Sequence, residues 1–247
     1  MERPRGSSAE RRTSLVCAEC GHPVDGFRYC PHCGQDTSVE PLRIGSLVSG
    51  FVGSLTSFEM PLLRTTAEAL WRPGTVASSW IEGKRRTYAS PMRFCIVTGI
   101  VVALALRFFL GDAITPARES LNDLQRFLST AATEYFAFFA MVVLVPIAIA
   151  LGVTSRLFRI ERSTLDWYAL GLYVIGISAV LQLVYAAIQF VIPSLPNVSG
   201  TFPLVWYVIG AWGFGKDGKR IRSVAACLAA IGLLLGSLVL LQLALAA

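Results

Sequence analysis

The sequence predicts an all-α polytopic membrane protein: five transmembrane helices, preceded by a small four-cysteine zinc ribbon and juxtamembrane amphipathic helices. Three observations lead there. The 247 residues are 54% hydrophobic and 15% charged, with mean hydropathy +0.58, whereas a soluble domain carries about 25% charged residues. The charge deficit is concentrated after Pro91, where long apolar runs follow one another. Two Cys-x-x-Cys-Gly turns stand close together near the N-terminus. The net charge of +6 does not indicate a nucleic-acid partner. Many of the basic residues flank apolar runs, where they act as topology signals.

Residues 1–14 are polar and Arg-rich. They lack the apolar run of a secretory signal peptide, and Glu2 stands where N-myristoylation needs glycine. A disordered tail is expected. Residues 15–37 form the predicted ribbon. Cys17, Cys20, Cys30 and Cys33 sit in two Cys-x-x-Cys-Gly turns, a spacing that suits tetrahedral, structural Zn2+. Gly21 and Gly34 let the backbone fold back toward sulfur. A segment this short buries too little apolar surface to fold unaided, and structural zinc contributes roughly 10–16 kcal/mol in small peptides. The alternatives are a redox dithiol or a disulfide staple. The closeness of the two turns favours metal. His22 and His32 read as exposed loop residues.

Residues 38–91 are expected to hold juxtamembrane helices. Ile44, Leu47, Val48, Phe51, Val52, Leu55 and Phe58 recur at helical spacing within 39–58, opposite the small residues Gly45, Ser49, Gly53 and Ser57. Such a helix suits either a membrane surface or a soluble partner. A second helix is expected over 61–72, ended by Pro73-Gly74, and a further turn or two over 76–82, stopped by Gly83. Then come Lys84, Arg85, Arg86 and Tyr88, with Trp71 and Trp80 upstream. Cations beside aromatic rings suit the lipid headgroup layer.

Residues 92–247 are read as the five-helix membrane domain, with spans at 94–110, 135–153, 168–192, 202–214 and 224–247. The fourth is short, about 20 Å of an about 30 Å hydrocarbon layer, and a full crossing requires 198–216 to join it. The segments between spans alternate in charge: basic before Phe94, acidic over 111–134, basic over 154–167, uncharged over 193–201 and basic over 215–223. This pattern predicts a cytoplasmic N-terminus and an extracytoplasmic C-terminus, and a reducing compartment for the thiols.

Gly26-x-x-Tyr29-Cys30-x-x-Cys33-Gly34-Gln35, then Pro73-Gly74, then Gly83-Lys-Arg-Arg-Thr-Tyr88-Ala-Ser-Pro91 resembles a family of bacterial membrane proteins of unknown function with an N-terminal zinc ribbon. The likeness covers roughly the first ninety residues. It implies a zinc ribbon, a cytoplasmic N-terminal region and the bacterial inner membrane. In the arrangement of its spans alone, the chain is also similar to the Yip family of trafficking proteins. Neither resemblance carries catalytic residues with it.

Other constellations read as structural. The stretch from Gly213 to Arg220 nearly spells a phosphate-binding loop, but Arg220 stands where Ser or Thr must reach magnesium. Lys216, Lys219, Arg220 and Arg222 are expected at lipid headgroups. Ser178, Gln182, Tyr185 and Gln189 share one face of the third span, as a polar path or as hydrogen-bonded helix glue. Gly232 and Gly236 make a small-residue packing face, and Cys95 and Cys227 are expected to be inert. No Asp, Glu, Lys or His occupies a mid-span position, and no paired acid–base set is visible.

The expected function is therefore that of a non-enzymatic membrane protein, a zinc-ribbon adaptor or scaffold at the cytoplasmic face. Its expected partners are membrane lipids and a cytoplasmic or membrane protein. The alternatives are a small-molecule transporter or channel using the polar stripe, and a lipid-handling or Yip-like membrane-organising protein.

Overall fold

A computed structural model describes residues 16–24, 27–37, 60–119, 136–192, 194–196, 198, 201–215 and 219–246. The expected tail, the amphipathic stretch 39–58 and Lys216 lie outside the described residues. Among those described there are seven helices and no strand: α1 (Met60–Trp71), α2 (Pro73–Ile81), α3 (Pro91–Glu119), α4 (Phe136–Leu157), α5 (Thr164–Val191), α6 (Phe202–Phe214) and α7 (Arg220–Ala246).

α5 organises the rest. Ser163 caps it in a reciprocal box: Asp166 N–H donates to the Ser163 hydroxyl, and Ser163 N–H donates back to the Asp166 carboxylate. Two otherwise orphaned donors are thereby satisfied. Its first half is buried, from Trp167 through Ala179, against α2, α3, α4 and α6. Trp167 meets Phe214 of α6 edge-on at 5.1 Å, and Phe94 of α3 lies 5.7 Å from Tyr173. The Tyr173 hydroxyl donates to the Ala89 carbonyl at 2.6 Å. Its second half faces outward, with Val184, Phe190 and Val191 exposed.

α2 lies against α6 backbone to backbone. A Cβ on Gly74 would overlap the Gly210 carbonyl and stand 2.7 Å from the Phe214 nitrogen, so only glycine fits there. Trp206 Nε1 donates to the Leu70 carbonyl at 3.0 Å, satisfying an acceptor that the end of α1 leaves free. Arg162, between α4 and α5, reaches Ser78 Oγ at 3.3 Å and the Phe214 carbonyl at 3.4 Å, and lies over the Phe214 ring. These contacts gather the ends of α4 and α6 and the start of α5 beside α2. Lys219, just before α7, pairs with Glu161 at the same end.

The structure corrects several sequence expectations. The helix expected over 61–72 is α1, which stops at Trp71 just before Pro73-Gly74, but the next helix starts at Pro73 itself rather than at 76, where a missing N–H costs nothing. The first predicted span does not stop at Leu110: α3 continues to Glu119, so 111–119 is helix rather than loop. Asp166 is not a loop charge but part of the first turn of α5. α6 keeps its 13 residues, with Thr201 as its N-cap and Gly215, which follows it, extended.

Among the described residues, one helix is long and apolar enough to cross a membrane: α5, with mean hydropathy 2.0. Only 28% of its most apolar window is buried, unlike a soluble core helix. Pro91–Ala105, Met141–Leu157 and Phe202–Phe214 are shorter apolar stretches. The five expected crossings are thus matched by one clear membrane-length helix among the described residues.

Candidate metal centre

Each Cys-x-x-Cys-Gly turn folds by the same rule. Cys17 N–H donates to the His22 carbonyl, and Gly21 N–H donates to the Cys17 carbonyl. Thirteen positions on, Cys30 N–H donates to Gln35 and Gly34 N–H to Cys30. Gly21 and Gly34 take φ of +72° and +71°, a left-handed turn that favours glycine. Isolated antiparallel bridges close both loops, Val16 with Pro23 and Tyr29 with Asp36. The ribbon is two copies of one knuckle, and their apposition places all four sulfurs together.

Cys17 Sγ lies 3.6 Å from Cys33 Sγ, and Cys20 Sγ lies 3.6 Å from Cys30 Sγ. All four sulfurs fall within 4.8 Å of one another. Zinc–sulfur bonds of about 2.3 Å place sulfurs about 3.8 Å apart in a tetrahedron, so the four cysteines fit a metal ion of this kind. Their acidities reflect crowding. Burial pushes the Cys30 thiol up, but the backbone N–H groups of Cys33 and His32 and the Cys20 side chain outweigh it and bring it to about 7. The Gln35 N–H pulls Cys33 down, yet burial and the other three cysteines drive it to about 12. Cys30 ionises readily while Cys20 and Cys33 resist, a resistance that a bound dication would remove. His22 and His32 stack on each other at 5.3 Å, outside the sulfur cluster.

The ribbon rests on the segment after α2. Gln35 Nε2 donates to the Gly83 carbonyl at 2.9 Å in a buried bond. The Thr87 hydroxyl donates to the Glu19 carboxylate. The Gly34 turn faces the Arg86 guanidinium: Nη1 lies 3.8 Å from where a Cβ on Gly34 would stand. Gly83 itself has φ +109°.

The four expected headgroup residues of this segment have different surroundings. Lys84 and Arg86 are exposed. Arg85 is half-buried over the Trp80 ring at 5.3 Å. Tyr88 is buried, and its hydroxyl donates to Glu68 at 2.5 Å. Arg64 donates to the same carboxylate at 2.8 Å. The bonds from Tyr88 and Arg64 hold the Glu68 carboxyl below its usual range. Burial first, and then Glu68, push Tyr88 up to about 12.

At the other expected sites, Lys219 pairs with exposed Glu161 at 3.3 Å, while Arg220 and Arg222 are exposed on the first turn of α7. The polar stripe divides. The Tyr185 hydroxyl donates to the Pro196 carbonyl, and Gln189 Nε2 donates to Leu195 at 3.3 Å. Ser178 is buried with no hydrogen-bond partner for its hydroxyl, and Gln182 is half-buried. Tyr185 and Gln189 thus serve the irregular backbone between α5 and α6, whose carbonyls need donors beside apolar helices. Glu19 and Glu68 escaped the sequence reading, which took Gln35 only as part of a motif and Arg162 only as a charge of the basic segment 154–167.

A family described as "Protein of unknown function (DUF3667)" matches residues 59–102. The match covers α1, α2, the segment under the ribbon and the start of α3, and does not reach Cys17, Cys20, Cys30 or Cys33. No curated protein matches the chain. No solved structure matches it either.

Proposed function

We propose that this is a non-enzymatic, multi-pass protein of the bacterial inner membrane, in which a zinc ribbon acts as a scaffold on the cytoplasmic end of a five-span bundle. The observation that carries this is the seating of the four-cysteine module on residues 83–87 through Gln35, Glu19 and Gly34. A ribbon that served only to reach a distant partner would have no need of a buried hydrogen bond to its own juxtamembrane segment. On this reading, zinc holds the ribbon, the ribbon holds the segment after α2, and α2 holds α6 through Gly74.

Two further observations support the membrane reading. Phe108, Val142, Leu157, Phe190, Val191 and Leu233 are all more than half exposed, and apolar side chains in such number suit contact with lipid tails rather than water. Lys219, Arg220 and Arg222 lie at the same end as Arg162 and α2, in keeping with a cytoplasmic, basic face. α6 is short, but its C-terminus meets Arg162 while its start, Phe202, packs on Tyr185 near the far end of α5 at 5.7 Å. That favours a helix that returns the chain across the layer over one that dips and retreats.

The test is a pair of topology reporters, one after Lys219 and one after Ala247, with elemental analysis of the purified protein. The expected result is Lys219 inside, Ala247 outside and one zinc per chain. A Lys219 reporter found outside reduces the count to four crossings, and a zinc-free protein overturns the scaffold.

A further inference from the structure

α4, α5, α6 and α7 line a half-open cavity of about 460 Å³, walled by residues that include Val143, Pro146, Ile147, Tyr207, Ala230 and Ile231. The volume falls within the range of small-molecule sites, but the chemistry is unusual for one. No charged side chain lines it. Its one phenol, Tyr207, is buried, with the hydroxyl set against Gly171, where a Cβ would clash with it. A water-soluble ligand would find at most that one unpartnered hydroxyl and would have to abandon its other hydrogen bonds here.

The position of the cavity narrows the occupant. Its mouth residues, Val143 and Leu204, are 39% and 45% exposed. Leu204 belongs to the first turn of α6, the end remote from the ribbon. A 13-residue helix covers about 20 Å, so about 10 Å of a full hydrocarbon layer has no α6 beside it. The walls of α4 and α7 continue past that point. We propose that the cavity holds one acyl chain of a phospholipid from the leaflet opposite the ribbon, filling the space the short helix leaves. The headgroup stays at the surface, so no charge enters. This inference rests on the membrane reading above.

The probe is a phosphatidylcholine with a diazirine on its acyl chain, in bilayer discs carrying the full chain. Light-induced adducts are mapped by mass spectrometry. Adducts on Ile147 and Ile231 should exceed those on the outward-facing Phe190 about fivefold, because van der Waals packing favours the enclosed chain. Leu204→Trp, at the exposed mouth, should remove that excess and leave Phe190 unchanged. Val143→Trp should do the same from the other lip, so a local fault in either variant does not decide the outcome. Even labelling, or an excess insensitive to both tryptophans, overturns the proposal while leaving the membrane reading standing. Stronger labelling of the same residues by a photoreactive free palmitate overturns the assignment to a bilayer lipid. Adducts at neither place overturn the membrane reading together with this inference.

Discussion

The described residues between 16 and 37 bury Cys17, Val24 and Cys30 and little else that is apolar, while Val16, Phe27 and Tyr29 are half or more exposed. The helices bury Trp167, Tyr173, Phe94, Phe214 and a continuous set around them, and still turn Phe108, Leu157, Phe190 and Val191 outward. The ribbon has a water-compatible surface and almost no core. The helical region has a core at the ribbon end and an apolar outside. On the proposed reading each is completed differently, the first by a metal ion at four sulfurs, the second by the apolar interior of a membrane. They meet through hydrogen bonds and glycines rather than a broad apolar interface, so one can change state without dissolving the other.

The strongest way to break that contrast is to disturb the helical region from within. Gly74→Val forces a side chain into the Gly210 carbonyl of α6, and no flexible atom there can yield. We expect a loss of about 3 kcal/mol or more, the upper range for overpacking, read as a lower unfolding temperature in detergent with zinc content unchanged. Gly232→Ala, where a Cβ meets nothing within 4 Å, should change stability by less than about 0.5 kcal/mol.

A smaller change sharpens the boundary between the two regions. Gln35→Ala leaves the cysteines alone but removes the buried donor to the Gly83 carbonyl. The stranded acceptor should weaken the seating by about 1–3 kcal/mol. Isothermal titration should show zinc affinity near wild type, while limited proteolysis shows faster cleavage around 83–88. Equal loss of both would mean that the ribbon cannot fold without its seat.

The smallest effect is on pH. Glu68 is depressed by Tyr88 and Arg64, so its contribution is present above its unfolded value, about 4.3, and lost as pH falls through the lower folded value. Tyr88 is raised to about 12, so its contribution is full below its unfolded value, about 10, and lost as pH rises toward 12. With zinc held saturating, hydrogen exchange at 83–89 should therefore show no change from this pair between about pH 5 and 9. Because the Glu68 side chain is 40% exposed, the acid limb should be worth under about 1 kcal/mol.

What the sequence disclosed follows from how local each signal is. The knuckles could be read because Cys17 to Gly21 and Cys30 to Gly34 carry ligands and turn glycine within five positions. α6 could be read because Pro203 and Gly215 bracket an unbroken apolar run. The stop of α1 before Pro73 could be read, but the start of α2 was placed three residues late, because proline suits the first turn of a helix as well as the residue after one. The extension of α3 past Leu110 was missed because backbone hydrogen bonding continues where hydropathy fails. Asp166 was misread although Ser163-Thr-Leu-Asp166 carries the box. The seat could not be read at all: Gln35 and Gly83 are ordinary polar and turn residues until the fold brings them together across 48 positions.

The central claim, that metal is coupled to the juxtamembrane segment through the seated ribbon, is tested most directly by hydrogen–deuterium exchange. The full chain in bilayer discs is compared before and after zinc chelation, with Cys20→Ser as the genetic counterpart. The account predicts loss of protection in 16–37 and also in 83–88, with 167–179 of α5 unchanged, because that half of the helix is held by its own core and by intrahelical bonds. Loss confined to 16–37, with 83–88 fully protected, would contradict it.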